Sequence, residues 1–389
     1  MNINEKIKRS DRFYKICLSY MILWFLICVG FIIYSIESRN DFRRLDREGY
    51  LYYMNYTGDY YKPEIINALI SSDENINHGC SAFFTRNLQG DPISAHNYDY
   101  PHRISKDDQT LTGLNIILHC KPSGKYESIA VADAIWCDPD NKFLRAKGPS
   151  KSGFDMKILD TLPYECMDGI NEKGLFAAIM RVDIKSGDHP AKIPAGSSIL
   201  LRYILDDCAN VYEAINKAFS NKILSPEDWQ NEHLFVSDSI GNHAVIESRN
   251  NIISVISSDI ATNFYLAYDD IEDSYYKNGN LREKAKLFTD KTGKSIYKFG
   301  YGHGYNRFIT IASQLERFRD NQTGVTQMSE SAALVILQSV AQNPMTKPTG
   351  ISMTQYSAIY NNRQKTLTVW PFQNYEKAYK FDVTGKKSK

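Results

Sequence analysis

A cysteine that opens a strand directly after a glycine has the makings of a nucleophile, because a thiolate attacks carbonyl carbon. Gly79-Cys80-Ser81-Ala82-Phe83-Phe84 has this form. Taken alone it reads as a buried structural cysteine that packs as a small hydrophobe. Several strings downstream add polar side chains. They are Ser94-Ala95-His96-Asn97-Tyr98-Asp99-Tyr100-Pro101, Asp168-Gly169-Ile170-Asn171-Glu172-Lys173-Gly174-Leu175, Ala261-Thr262-Asn263-Phe264-Tyr265 and Gly304-Tyr305-Asn306-Arg307-Phe308. Singly, Asp99 is a turn residue, Asn263 a loop cap and Arg307 a solvated helix charge. Asp168, Asn171 and Gly174 read as a turn between strands.

Other chemistries fail on their own motifs. Thr292-Gly293-Lys294-Ser295 ends like a phosphate loop, but Phe288 stands where its first glycine belongs. The glycines of Gly300-Tyr301-Gly302-His303-Gly304 lack the strand–turn–helix setting of a dinucleotide site. No metal-ligand spacing of His and Cys and no G-x-S-x-G elbow is present. No cofactor is expected.

Together the strings resemble the choloylglycine hydrolase family, which holds bile salt hydrolases, penicillin V acylases and related linear-amide C–N hydrolases. The resemblance runs from Cys80 nearly to Trp370, and its most specific part is D-G-x-N-E-K-G-L at 168–175. It implies the amino-terminal-nucleophile fold, an α+β four-layer αββα sandwich. It implies that Cys80 is the nucleophile, made amino-terminal by self-cleavage of the Gly79–Cys80 bond. Asp99 matches the aspartate that holds the new α-amine, Asn263 the asparagine of the oxyanion site, and Arg307 the arginine that supports the nucleophile.

That chemistry is coherent. A thiol ordinarily titrates near about 8.5 and is mostly protonated at neutral pH. A free α-amine, at about 7.7–8.0, can take its proton at short range. Preorganised donors then stabilise the tetrahedral oxyanion. The path is acylation of Cys80 with release of an amine, followed by hydrolysis of the thioester. Acyl transfer to a second amine is the runner-up, and an inactive membrane-anchored binding relative is the rival from another class.

Two positions depart from the family pattern. The family's arginine is replaced by His96, which is shorter and gives weaker or pH-dependent support to a thiolate. Arg181 stands near a second oxyanion side chain that is asparagine in bile salt hydrolases, so bile-salt specificity does not carry over. His96 and Arg181 are expected to bind substrate, with a solvated strand-end arginine the plain alternative for Arg181.

The residues need a scaffold. Ser81–Thr85, Ile93–Tyr98, Leu114–His119, Ser128–Ala134 and Leu175–Arg181 have strand length and turn-like borders. Helices are expected at Lys62–Ser71, Ser198–Asp206, Val211–Phe219, Tyr305–Phe318 and Ser331–Asn343, with Asn210 and Glu213 forming a capping box. Strands return at His233–Val236, His243–Glu247, Met353–Tyr360 and Thr366–Trp370. Tyr50, Tyr52, Tyr53, Tyr56, Tyr60 and Tyr61 crowd one stretch that must pack on the domain that follows.

Ahead of these lies an uncharged run, 16–36, long enough to cross a bilayer as a helix. The chain therefore divides into a cytoplasmic tail (1–15), an anchor (16–36), a pro-segment or linker (37–79) and an amidase domain (80–389). The anchor is preferred to a cleaved signal because the run is long and no A-x-A-like site follows. The catalytic part is expected outside the cytoplasm, or secreted if the signal reading holds.

Composition bounds the rest. The chain has 389 residues, 43% hydrophobic and 23% charged, which fits a globular protein. Forty-six basic against forty-five acidic residues leave no excess for nucleic acid. The expected partners are a small N-acyl amide and a membrane; a homo-oligomer stays open. Seven cysteines are too few for a disulfide-held scaffold, and Cys120, Cys137, Cys166 and Cys208 are either two disulfides or buried thiols.

Overall fold

The computed structural model describes residues 18–22, 24, 42–46, 51–70, 79–101, 103–104, 110–111, 114–137, 156–182, 196–226, 232–249, 251–267, 302–342 and 352–387. In chain order the strands are β1 (Phe42–Arg44), β2 (Leu51–Tyr56), β3 (Gly79–Arg86), β4 (Pro92–Pro101), β5 (Arg103–Ile104), β6 (Thr110–Leu111), β7 (Asn115–Cys120) and β8 (Ser128–Asp133). There follow β9 (Cys166–Asn171), β10 (Phe176–Arg181), β11 (Glu232–Ser237), β12 (His243–Arg249), β13 (Ile252–Ile256), β14 (Ile260–Ala261), β15 (Ser352–Asn361), β16 (Thr366–Pro371) and β17 (Tyr379–Asp382). The helices are α1 (Pro63–Ile70), α2 (Gly196–Asp207), α3 (Val211–Ser220), α4 (Gly302–Glu316) and α5 (Glu330–Ser339).

Two sheets carry the fold. One has nine strands in the order β1-β2-β7-β8-β9-β10-β11-β12-β13, the other six in the order β14-β3-β4-β15-β16-β17. Alternation along each strand sends side chains to two different cores. Ile117, Ile129, Val131, Phe176 and Phe235 meet Ala82, Tyr98, Tyr356, Leu367 and Val369 between the sheets. On the outer face of the large sheet, Ile116, Leu118 and Ala130 pack on Ile199, Leu200 and Leu205 of α2. On the outer face of the small sheet, Phe83, Ile93 and Ala95 pack on Ile311 and Leu315 of α4 and Ile336 of α5. The layers are therefore helix, sheet, sheet, helix, the order that the family resemblance implied.

The tyrosine-rich stretch packs on both faces at once. Tyr52, Met54 and Tyr56 of β2 enter the helix-side core, while Leu51 and Tyr53 enter the core between the sheets. β2 pairs parallel with β7, whereas the other strand pairings among the described residues are antiparallel. Beyond β2, the hydroxyls of Tyr60 and Tyr61 donate to Asp206 of α2 at 2.8 and 2.6 Å. Asp206 also pairs with the fully buried Arg202 at 2.6 Å.

The start of α3 keeps the Asn210 half of the expected box, while the Glu213 carboxylate reaches the N–H one residue before the cap. The Glu213 N–H donates to Asn210 Oδ1 at 3.0 Å, and the Ala209 N–H donates to Glu213 Oε2 at 2.7 Å. α5 ends at Ser339, short of the expected Asn343, where Val340 leaves helical geometry. Cys120, Cys166 and Cys208 are buried free thiols, and Cys137 is half-buried and free. Of the run 16–36, residues 18–22 and 24 are described and helical; the rest lies outside the described residues. Among the described residues no helix is long and apolar enough to cross a membrane.

Candidate active site

Antiparallel pairing of β3 and β4 sets Gly79 opposite Asp99 and Cys80 opposite Tyr98. Cys80 is fully buried and joins the core between the sheets. Burial pushes its thiol well above the usual range, and the Asp99 charge adds to this. An N–H from the Asp99 backbone and the Arg307 charge pull the other way.

Arg307 reaches in from α4. Its Nη1 donates to the Cys80 carbonyl at 2.6 Å and to Asp99 Oδ2 at 3.0 Å. Its Nη2 donates to Asn263 Oδ1. Asn263 follows β14, which pairs with β3, and its Oδ1 accepts the Cys80 backbone N–H at 3.1 Å. Cys80, Asp99, Asn263 and Arg307 thus form one buried hydrogen-bonded group from four parts of the chain. Gly79 itself lies against this group, its Cα facing Arg307 and Asn263.

The sequence did not reveal Thr354. It lies opposite Asp99 on β15 and donates to Asp99 Oδ1 at 2.5 Å. Asp99 therefore has a partner on each oxygen. The sequence marked β15 and β16 as a hairpin, which the structure shows, but gave no sign that β15 pairs with β4 on its other side.

The two expected substrate contacts are placed differently. Arg181 ends β10, and its backbone carbonyl accepts from Asn263 Nδ2 at 2.6 Å. Asn263 is thus engaged through both ends of its amide. His96 is fully buried between the sheets, two residues from Tyr98, with Nδ1 2.5 Å from Asp168 Oδ2. The Tyr360 hydroxyl donates to the other Asp168 oxygen at 2.6 Å. Asp168 is therefore not the turn residue its string suggested; it is a mid-strand carboxylate tying the two sheets together. His96 Nε2 is buried without a hydrogen-bond partner, and its ring lies edge-on to Tyr356 at 6.3 Å.

Among the described residues no group of three or more His, Cys, Asp or Glu side chains could hold a metal ion. What the geometry offers is a thiol, its own backbone nitrogen, and fixed polar groups around that nitrogen.

No curated protein matches this chain in sequence. Among solved structures, penicillin V acylase from Agrobacterium tumefaciens is similar at 16% identity, covering 78% of this chain and 86% of that one, with a TM-score of 0.47. A variant of conjugated bile acid hydrolase from Clostridium perfringens is similar at 15% identity, covering 80% of this chain and 96% of that one, with a TM-score of 0.46. The sequence model of the family described as "Acyl-coenzyme A:6-aminopenicillanic acid acyl-transferase" matches residues 86–331, well over half of the chain. The chain belongs to that family.

Proposed function

We propose that this chain is a self-processing cysteine amidase that hydrolyses the C–N bond of a linear N-acyl amide through a thioester on Cys80. One observation carries the reading: the Cys80 nitrogen and carbonyl are held by Asn263 and Arg307, with Asp99 bonded to the same arginine. Self-cleavage would proceed by attack of Cys80 Sγ on the Gly79 carbonyl carbon. The thiol proton passes to the departing Cys80 nitrogen, the C–N bond breaks, and water hydrolyses the thioester. The products are a Gly79 carboxylate, a free thiol and a free α-amine that then serves as base. In each later turnover the thiol takes the acyl group, an amine leaves and water regenerates Cys80.

Acyl transfer is the second reading. It is favoured by the family match, whose description names an acyl-transferase. The same acyl-enzyme serves both reactions, and only the acceptor differs.

In this reading residues 1–15 are a cytoplasmic tail, 16–36 an anchor, 37–79 the pro-segment and 80–389 the amidase domain, which lies outside the cytoplasm. Protection of the carboxyl end from protease in sealed cells would sink that placement.

Intact mass of wild type and Cys80→Ala tests the chemistry. Wild type is expected as two pieces, one starting at Cys80, and the variant as one chain. Recovery of both as the same uncut chain overturns the proposal. Amine release is then followed on penicillin V, conjugated bile salts, N-acylethanolamines and acyl-homoserine lactones. Adding a second amine and finding its acylated product separates transfer from hydrolysis.

A further inference from the structure

Glu247 is a fully buried carboxylate outside the group around Cys80. It sits in β12 opposite His233 of β11. Its Oε1 accepts the Leu266 N–H at 2.8 Å, and its Oε2 accepts the Ala267 N–H at 3.0 Å. His233 Nδ1 lies 3.1 Å from the same Oε1, and His233 is itself fully buried. A carboxylate in an apolar core is costly unless its oxygens are satisfied. Here they are satisfied by the backbone of the short segment that begins at Asn263.

Neighbouring residues of β12 hold the same segment. The Tyr265 hydroxyl donates to the Ser248 carbonyl at 3.2 Å, and the Arg249 guanidinium lies over the Tyr265 ring at 5.1 Å. The other flank is closed by α4. Thr262 Oγ1 donates to the Gly304 carbonyl at 2.7 Å, and a Cβ on Gly304 would stand 3.1 Å from the Asn263 backbone. Asn263 is therefore clamped from both sides, by β12 through the backbone bonds to Glu247 and by α4.

We propose that Glu247, steered by His233, is a positioning residue for Asn263. It fixes the backbone at 266–267 so that the Asn263 amide meets the Cys80 N–H and Arg307. An apolar residue at 247 would leave the Leu266 and Ala267 N–H groups without their acceptor and let the segment shift. The inference rests on the reading that Cys80 cuts the Gly79–Cys80 bond, because that cut reports on Asn263 without any added substrate.

The test is a double-mutant cycle on the full chain. Wild type, Glu247→Gln, Asn263→Ala and the double variant are made by pulsed cell-free synthesis. Cleavage half-times are read by intact mass, and folding by urea midpoint. Glu247→Gln is expected to slow cleavage roughly tenfold in the wild-type background and to add nothing once Asn263 is alanine. A purely structural role would instead slow both backgrounds by the same factor, which overturns the proposal, as does wild-type cleavage by Glu247→Gln. Should Glu247→Gln fail to fold, His233→Leu, which removes one of the three partners of the carboxylate, goes through the same cycle under the same criteria. A wild type that stays whole defeats the self-cleavage reading and this inference with it.

Discussion

Arg307 Nη1 lies 3.0 Å from Asp99 Oδ2, with the Asp99 side chain fully buried and that of Arg307 7% exposed. Taking one member from such a pair leaves the other charge without compensation. Arg307→Met is expected to cost about 3–5 kcal/mol of folding stability, read from urea titration. Adding Asp99→Asn to that variant should return part of the loss, since the stranded charge is gone. A double variant less stable than Arg307→Met would show that Asp99 does not depend on this arginine.

Buried thiols make the fold sensitive to alkali. Burial, opposed by the Arg202 charge, pushes Cys120 up from about 9 to about 12. A group whose value is raised on folding contributes its full stability below the unfolded value and loses it as pH rises toward the folded one. The window is therefore about pH 9 to 12. Within it, Cys120 alone should cost about 1.4 kcal/mol per pH unit. The urea midpoint should fall between pH 8.5 and 10, and Cys120→Ala should flatten that fall. An unchanged slope in the variant would count against the assignment.

Gly174 has φ of +83°, and a Cβ there would stand 2.1 Å from the Asn362 carbonyl oxygen. Gly174→Ala is expected to destabilise the fold by about 1–3 kcal/mol. A variant within 0.5 kcal/mol of wild type would refute the need for glycine.

The same string shows what a single sequence discloses. The roles of Asn171 and Gly174 were readable because they are local. Asn171 Oδ1 accepts the N–H groups of Lys173 and Leu175, within its own turn. Asp168 was misread as a turn former, and β9 went unnoticed, because their reasons lie far along the chain. Gly169 is small because a Cβ would come within 2.8 Å of Ala130 and Leu205. β2 was equally hidden, since a strand covered on both faces loses the alternation that betrays one. The strands through Cys80 and Asp99 are covered on both faces as β2 is, and were found from their length and turn-like borders instead, whereas Thr354 and Glu247 owe their places to strand pairing.

Asp168 offers one more test. His96→Leu leaves one buried carboxylate oxygen without its partner and should cost about 1.5–3 kcal/mol. His96→Asn, whose amide nitrogen can stand where Nδ1 stands, should cost less. Equal losses would mean that the ring packing, not the Asp168 contact, is what His96 supplies.

The parallel pairing of β2 with β7 bears on molecularity. The chain lays down β2 in the large sheet, crosses to the small sheet for β3 and β4, and returns as β7. A cut between Gly79 and Cys80 severs that crossover and leaves β2 wedged between β1 and β7. One chain then becomes two that share a core, and refolding changes from a first-order to a second-order event. The cut protein would hold together in use, yet once unfolded at low concentration it would return slowly or not at all.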